Sequence, residues 1–314
     1  MRRGMDRKVM FCVITSAFIF STMEVALKIG AGQFDPLQLT LLRFIIGGVF
    51  LLPPALADLK KRRVRLTKGD YGYLLFLGVI CICISMLLFQ YGVLASNAGT
   101  AAVVFSANPM FTMLLAHFFT EEKLSRKKVL CLFISMSGIL VMMNPLHMAA
   151  GNTLGGMTLI VLSALMFGLY SAFGKLRIRR IGGLAQTALN FLLGSGVLAV
   201  TMGILHRPIL SGLHPGNLPA LLYIGVIVTG IGYFFYFKAI ELGGAARGSA
   251  VFFLKPVIAP VIALLILSEA ITFQSIAGVG ILLIGSYMNM ADASGNPISD
   301  LNEENVKEGK EICR

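Results

Sequence analysis

Charge is what this sequence has least of. Only 13% of its 314 residues are Asp, Glu, Lys or Arg, against 56% hydrophobic, and the mean hydropathy is +0.82. A soluble domain of this length needs far more charge on its surface, so the solvent for most of the chain is lipid. Its four histidines, His117, His147, His206 and His214, have no ligand spacing. Of the five cysteines, Cys12, Cys81, Cys83 and Cys131 fall inside apolar runs and Cys313 lies in the tail, so no disulfide framework is implied. Cys81 and Cys83 are two apart and point about 200° from each other on a helix, which argues against a metal pair. No nucleophile, metal cluster or acid/base pair has enzymatic spacing, so we expect no enzyme, cofactor or metal. The net charge of +12 would suit nucleic acid only with aromatic interleaving and a soluble fold, and both are missing.

Long apolar runs are what the chain has instead. They lie at about 10–29, 37–56, 71–91, 98–119, 128–144, 155–174, 184–205, 218–238, 246–267 and 272–290, each near the roughly 20 residues that cross a bilayer as helix. Basic residues collect between alternate runs: Arg2, Arg3, Arg7 and Lys8, then Lys60 to Lys68, then Lys123 to Lys128, then Lys175 to Arg180. The intervening loops hold almost none, which by the positive-inside rule leads us to expect both termini in the cytoplasm. The first run is about 20 residues long with no convincing cleavage site after it, so it reads as a retained helix and not a signal peptide. Residues 291–314 are acidic and lack apolar periodicity, the composition of a disordered cytoplasmic tail.

The runs repeat. Residues 16–143 align with 163–290 at a constant offset of 147, matching Ser16 with Ser163, Lys28 with Lys175, Phe44 with Phe191, Gly47 with Gly194, Gly78 with Gly225, Pro109 with Pro256, Glu122 with Glu269 and Gly138 with Gly285. Each copy carries five runs, an odd number, so the second enters the bilayer with the opposite orientation. The expected fold is an all-α membrane protein of ten transmembrane helices built from two inverted five-helix repeats. Its boundaries are a cytoplasmic N-terminus at 1–9, repeats at 10–144 and 155–290, an external connector at 145–154 and the tail at 291–314.

The stretch from Phe252 through Lys255, Pro256 and Pro260 to Ser268-Glu269 and then Gly278 to Gly285 resembles the second EamA domain of the drug/metabolite transporter superfamily. Phe105 to Pro109 and Thr120 to Leu124, with Gly138 beyond, form a looser version in the first copy. The resemblance covers about 16–290. It implies ten helices around a central cavity, with helices five and ten at the side, where members of the family often form a homodimer contact. It implies a transporter of small-molecule metabolites, among them amino acids and drugs, and does not specify the cargo.

Ionisable groups at depth are the candidate machinery, because each costs about 2.5–3.5 kcal/mol near the bilayer centre even on a lenient scale. Lys255 is the deepest cation and directly precedes Pro256, which removes a backbone donor and can leave carbonyls near Phe252 and Leu254 facing a cavity. Two other roles stay open for Lys255: a structural cation paired with a buried carboxylate, or an ammonium that snorkels to the nearer interface. Its repeat counterpart is Asn108, also polar and also before a proline, so Pro109 and Pro256 are paired hinge or kink positions. Glu24 is the carboxylate well inside a run, and a protonatable carboxylate at a cavity is what proton-coupled exchange requires. Lys28, four residues on, gives Glu24 a local ion-pair partner on the same helix face. Arg43 has three open roles: binding an anionic group, pairing with Glu24, or reaching outward to the interface. Gln90 and Tyr233 add polar tips. Lys238 and Glu241 read as a boundary ion pair.

The inverted repeat leads us to expect a secondary transporter working by alternating access, and the resemblance implies that it moves small organic metabolites, such as amino acids, with export as the direction. Substrate would be bound by Lys255, Asn108, Arg43, Tyr233 and Gln90, with Glu24 as the coupling group. Uncoupled facilitation or obligate exchange is the alternative within transport. A channel or lipid-handling protein is a different class, and would need a continuous polar stripe or a lateral basic groove.

Overall fold

The computed structural model describes residues 7–119, 125–143, 150–243 and 250–294. Regular structure among these residues is helical throughout. The first apolar run forms α1 (Arg7–Ser21) and α2 (Met23–Ala31), parted at Thr22, whose hydroxyl donates to Ile19 O at 2.7 Å. Asp35 starts α3 (Pro36–Lys61): its Oδ1 accepts from Leu37 N at 2.9 Å while Pro36 supplies a preset φ at N1. A capping box of Thr67 and Asp70 opens α4 (Lys68–Gly78), which runs through a π-helical stretch (Val79–Met86) into α5 (Leu87–Leu94). Then come α6 (Ala98–Phe105), α7 (Asn108–Phe119) and α8 (Arg126–Met143).

The second half begins with α9 (Leu154–Ile181), capped by Thr153, whose Oγ1 accepts from Gly156 N at 3.0 Å. It continues with α10 (Gly183–Ile204), α11 (Leu218–Leu222), a second π-helical stretch (Tyr223–Ile231), α12 (Gly232–Gly243), α13 (Val251–Leu267) and α14 (Phe273–Ser294). Among the described residues seven helical segments are long and apolar enough to cross a membrane, and the apolar segments Val251–Leu267 and Phe273–Met288 are shorter. Helix starts at Arg7 and Leu154 and continues to Ser294, so short pieces of the expected terminus, connector and tail are helical. The rest of the tail, and Glu121, Glu122 and His147, lie outside the described residues.

Packing contacts recur at the 147-residue offset. Ser16 Oγ donates to Gly232 O at 3.1 Å, and their counterparts repeat the bond as Ser163 Oγ to Ser85 O at 2.7 Å. A Cβ added to Gly78 would lie 2.8 Å from Gly194 N, and one added to Gly47 would lie 3.3 Å from Gly225 O, which pairs the same two positions with the copies exchanged. Only glycine permits backbones this close. The same exchange relates Gly138 against Gly278 O to Gly285 against Cys131 O. Phe44 and its counterpart Phe191 meet edge to face at 4.7 Å, where α3 packs on α10. The π-helical stretches also correspond, since Val79–Met86 moved by the offset overlaps Tyr223–Ile231.

Two departures from this correspondence matter for the site. The first copy breaks at Thr22, whereas α9 is continuous across the matching position. It also breaks at Ser106 and Ala107, just before Asn108 and Pro109, whereas α13 continues through Pro256 and Pro260. One proline therefore starts a helix and its counterpart sits inside one.

Candidate functional site

The break at Thr22 puts Glu24 in the first turn of α2, and α2 packs against α13. There Glu24 Oε1 lies 2.6 Å from Lys255 Nζ, with the two side chains 1% and 3% exposed. Two full charges this dry are tolerated only as a pair, because each ion alone costs several kcal/mol to desolvate. The Lys255 ammonium also sits 5.4 Å from the centre of the Phe105 ring, at the end of α6. Glu24 Oε2 has no hydrogen-bond partner among the described residues. The pair joins the first copy to the second.

This arrangement corrects the local reading in which Glu24 pairs with Lys28. Lys28 Nζ instead reaches Glu269 Oε1 at 2.9 Å, and Glu269 receives Ala98 N on Oε1 at 2.8 Å and Gly99 N on Oε2 at 3.0 Å. Asn97, at the N-cap of α6, makes no side-chain cap bond, so a carboxylate from the other copy caps that helix. The i, i+4 spacing on α2 thus serves two separate partners. The role of Glu269 as a cap was missed in the sequence; the one available signal was that it is the repeat counterpart of Glu122.

Arg43 is 1% exposed and its cation lies 4.4 Å from the Phe44 ring centre. Nη1 approaches Met23 Sδ at 4.0 Å, while Nε and Nη2 have no hydrogen-bond partner among the described residues. Arg43 thereby touches the residue that precedes Glu24, and makes no ion pair with Glu24 itself. Tyr233 is half-buried, with ring centres of Phe20 and Phe191 at 5.0 and 5.1 Å. Asn108 is buried beside the α6–α7 break with Nδ2 unpartnered among the described residues. Gln90 is fully buried and neither amide atom has a hydrogen-bond partner there. The structure therefore brings Glu24, Lys255 and Arg43 into one electrostatic group with Tyr233 at its edge, and records no bond from Gln90 or Asn108 to that group.

A second polar cluster lies elsewhere. Asp70 is buried and accepts from Thr67 N at 2.8 Å, from Arg177 Nη1 at 2.7 Å and from Arg180 Nη2, tying α4 to α9. Its repeat counterpart Asn217 keeps the cap, accepting from His214 N at 3.1 Å, without the arginines. Lys238 and Glu241 form the expected surface pair at 3.0 Å. Among the described residues no group of three His, Cys, Asp or Glu could hold a metal ion.

The model of the EamA-like transporter family matches this chain twice, over residues 7–144 and 154–291. The chain belongs to that family. It is 34% identical to an uncharacterized transporter of Clostridium kluyveri, over 91% of this chain and 93% of the relative. A probable amino-acid metabolite efflux pump of Salmonella typhimurium is 24% identical, over 91% of this chain and 96% of that protein. A solved crystal structure superposes with a TM-score of 0.64 at 18% identity, covering 92% of this chain and 98% of that one, so the fold is shared. This EamA-like protein is accordingly a multi-pass membrane protein of a transporter family, and its doubled match is a two-repeat organisation.

Proposed function

We propose that this EamA-like protein is a secondary transporter that exports small organic metabolites, amino acids or related compounds, across the cytoplasmic membrane by alternating access. In this reading ten helices span the membrane as two inverted five-helix repeats, 10–144 and 155–290, with both termini cytoplasmic. The exchanged-copy contacts at Ser16–Gly232 and Ser163–Ser85, and at the glycine pairs, support an arrangement in which one copy can trade packing roles with the other.

The observation that carries the reading is the dry Glu24–Lys255 pair between the copies. A proton delivered to Glu24 cancels its charge and leaves Lys255 a buried cation with no counter-ion. A negative group on the cargo then offsets the surplus positive charge of the buried cluster in place of Glu24. Proton and cargo thus act on one cluster of charges, which is what coupling needs. Asn108 lies on the helix segment after Phe105, over which Lys255 sits, and Pro109 and Pro256 are the positions at which the matching helices flex in this reading.

Purified protein in proteoliposomes under an imposed pH gradient tests it. Wild-type protein should move metabolites at a rate set by the gradient, and Glu24→Gln should leave exchange that ignores the gradient. Proton dependence unchanged in Glu24→Gln removes the coupling role.

A further inference from the structure

Four charged residues are buried among those described: Glu24, Arg43, Asp70 and Lys255. Asp70 has Arg177 and Arg180, and Glu24 and Lys255 have each other. Arg43 is the one without an ion-pair partner among the described residues. The pattern of its donors is informative. Nε and Nη2 project from the same edge of the planar guanidinium and form a side-on fork whose spacing fits the two oxygens of a carboxylate. These are the two nitrogens without a hydrogen-bond partner, while the face is held over Phe44 and Nη1 is turned to Met23 Sδ. Phe44 and Met23 therefore fix the plane and leave the fork buried and unpaired among the described residues.

The charge count points the same way. Glu24 with Lys255 is internally neutral, so the group of three carries one surplus positive charge, on Arg43. The repeat counterpart of Arg43 is Asn190, a neutral amide beside Phe191, so the second copy offers no second fork. One charged fork accepts one planar anion.

We infer that the cargo presents a carboxylate that docks side-on to Nε and Nη2 of Arg43, which makes Arg43 the residue that selects carboxylates over their uncharged analogues. This deepens the transport reading above and rests on it. Two sources share the chemistry: simple monocarboxylates and the carboxylate end of α-amino acids. An amino acid also brings an ammonium, for which Glu24 Oε2, on the residue after Met23, has no hydrogen-bond partner among the described residues.

The test is counterflow in proteoliposomes with matched sets of C3 to C6 monocarboxylates, α-amino acids, the primary amides of both, and amines lacking a carboxylate. Wild-type protein should move members of one carboxylate set and reject their amides by on the order of 100-fold, the scale of an unpaired buried charge. Arg43→Lys keeps the charge but loses the fork, and should weaken apparent affinity for the carboxylate by about 100-fold. Arg43→Gln should abolish selection between acid and amide, with monodisperse elution of both variants confirming that they fold. Movement of monocarboxylates alone, or of amino acids alone, supports the inference and names the source. Equal movement of acids and amides by wild-type protein, or undiminished acid selection in Arg43→Lys, overturns it while leaving transport intact. Movement of none of the four sets by protein that elutes as a folded species counts against the transport reading itself, and the inference falls with it.

Discussion

Two ion pairs join α2 to the second copy, and they are built to opposite specifications. Lys28–Glu269 is partly exposed, at 23% and 11%, and its carboxylate is saturated by an ammonium and two backbone amides. Glu24–Lys255 is dry and sparsely provided, with one close contact and a carboxylate oxygen that has no hydrogen-bond partner among the described residues. A saturated carboxylate has nothing to gain by changing partner. A dry carboxylate with a single partner is sensitive to any proton or anion that reaches it. The first pair reads as a fixed clasp and the second as an exchangeable contact, although both stand on one helix four residues apart.

Substitutions separate the two. Lys255→Met leaves Glu24 charged and buried alone and should cost about 3–5 kcal/mol, read as a lowered unfolding midpoint in detergent. Glu24→Gln should cost a similar amount by stranding Lys255. The double variant Glu24→Gln with Lys255→Met removes both charges and should return to about the wild-type midpoint, so the two effects are far from additive. Glu269→Gln should cost about 1–2 kcal/mol, because it weakens the cap on α6 as well as the Lys28 contact. Lys28→Met should cost about 0–1 kcal/mol in the same assay, since a part-exposed ammonium loses little. If Lys28→Met proved as costly as Lys255→Met, the distinction between clasp and exchangeable contact would collapse.

Much of this was legible in the sequence, and what was not has physical reasons. The offset of 147 residues matches Asn108 with Lys255 and Glu122 with Glu269 from sequence alone, because a duplicated helix must bury the same face in each copy. Depth marks Glu24, Arg43, Lys238 and Lys255, since few positions in an apolar run hold charge without a partner; the structure buries three of these four, while Lys238 stays partly exposed in its pair with Glu241. Partner choice was not legible. The i, i+4 spacing favoured Glu24–Lys28, but that rule describes an isolated helix surface, and contacts from α13 and its C-terminal loop override it. The break at Thr22 carries no proline or glycine to announce it, so its effect on the direction of Glu24 could not be read. The two π-helical stretches are similarly silent, for VICICISM and YIGVIVTGI read as apolar runs with no signal that separates π from α. Pro109 and Pro256 show the converse: identical residues at matched positions end up at a helix start and in a helix interior.

The account stands most directly on whether Glu24–Lys255 works or merely holds. Flux through the Glu24→Gln, Lys255→Met double variant, reconstituted beside wild-type protein with compounds that the wild type moves, separates these outcomes. The account predicts a variant as stable as wild type with flux at background, because packing is restored and the exchangeable charges are gone. Wild-type flux and wild-type dependence on the pH gradient in that variant would contradict it and leave the pair as a buried clasp.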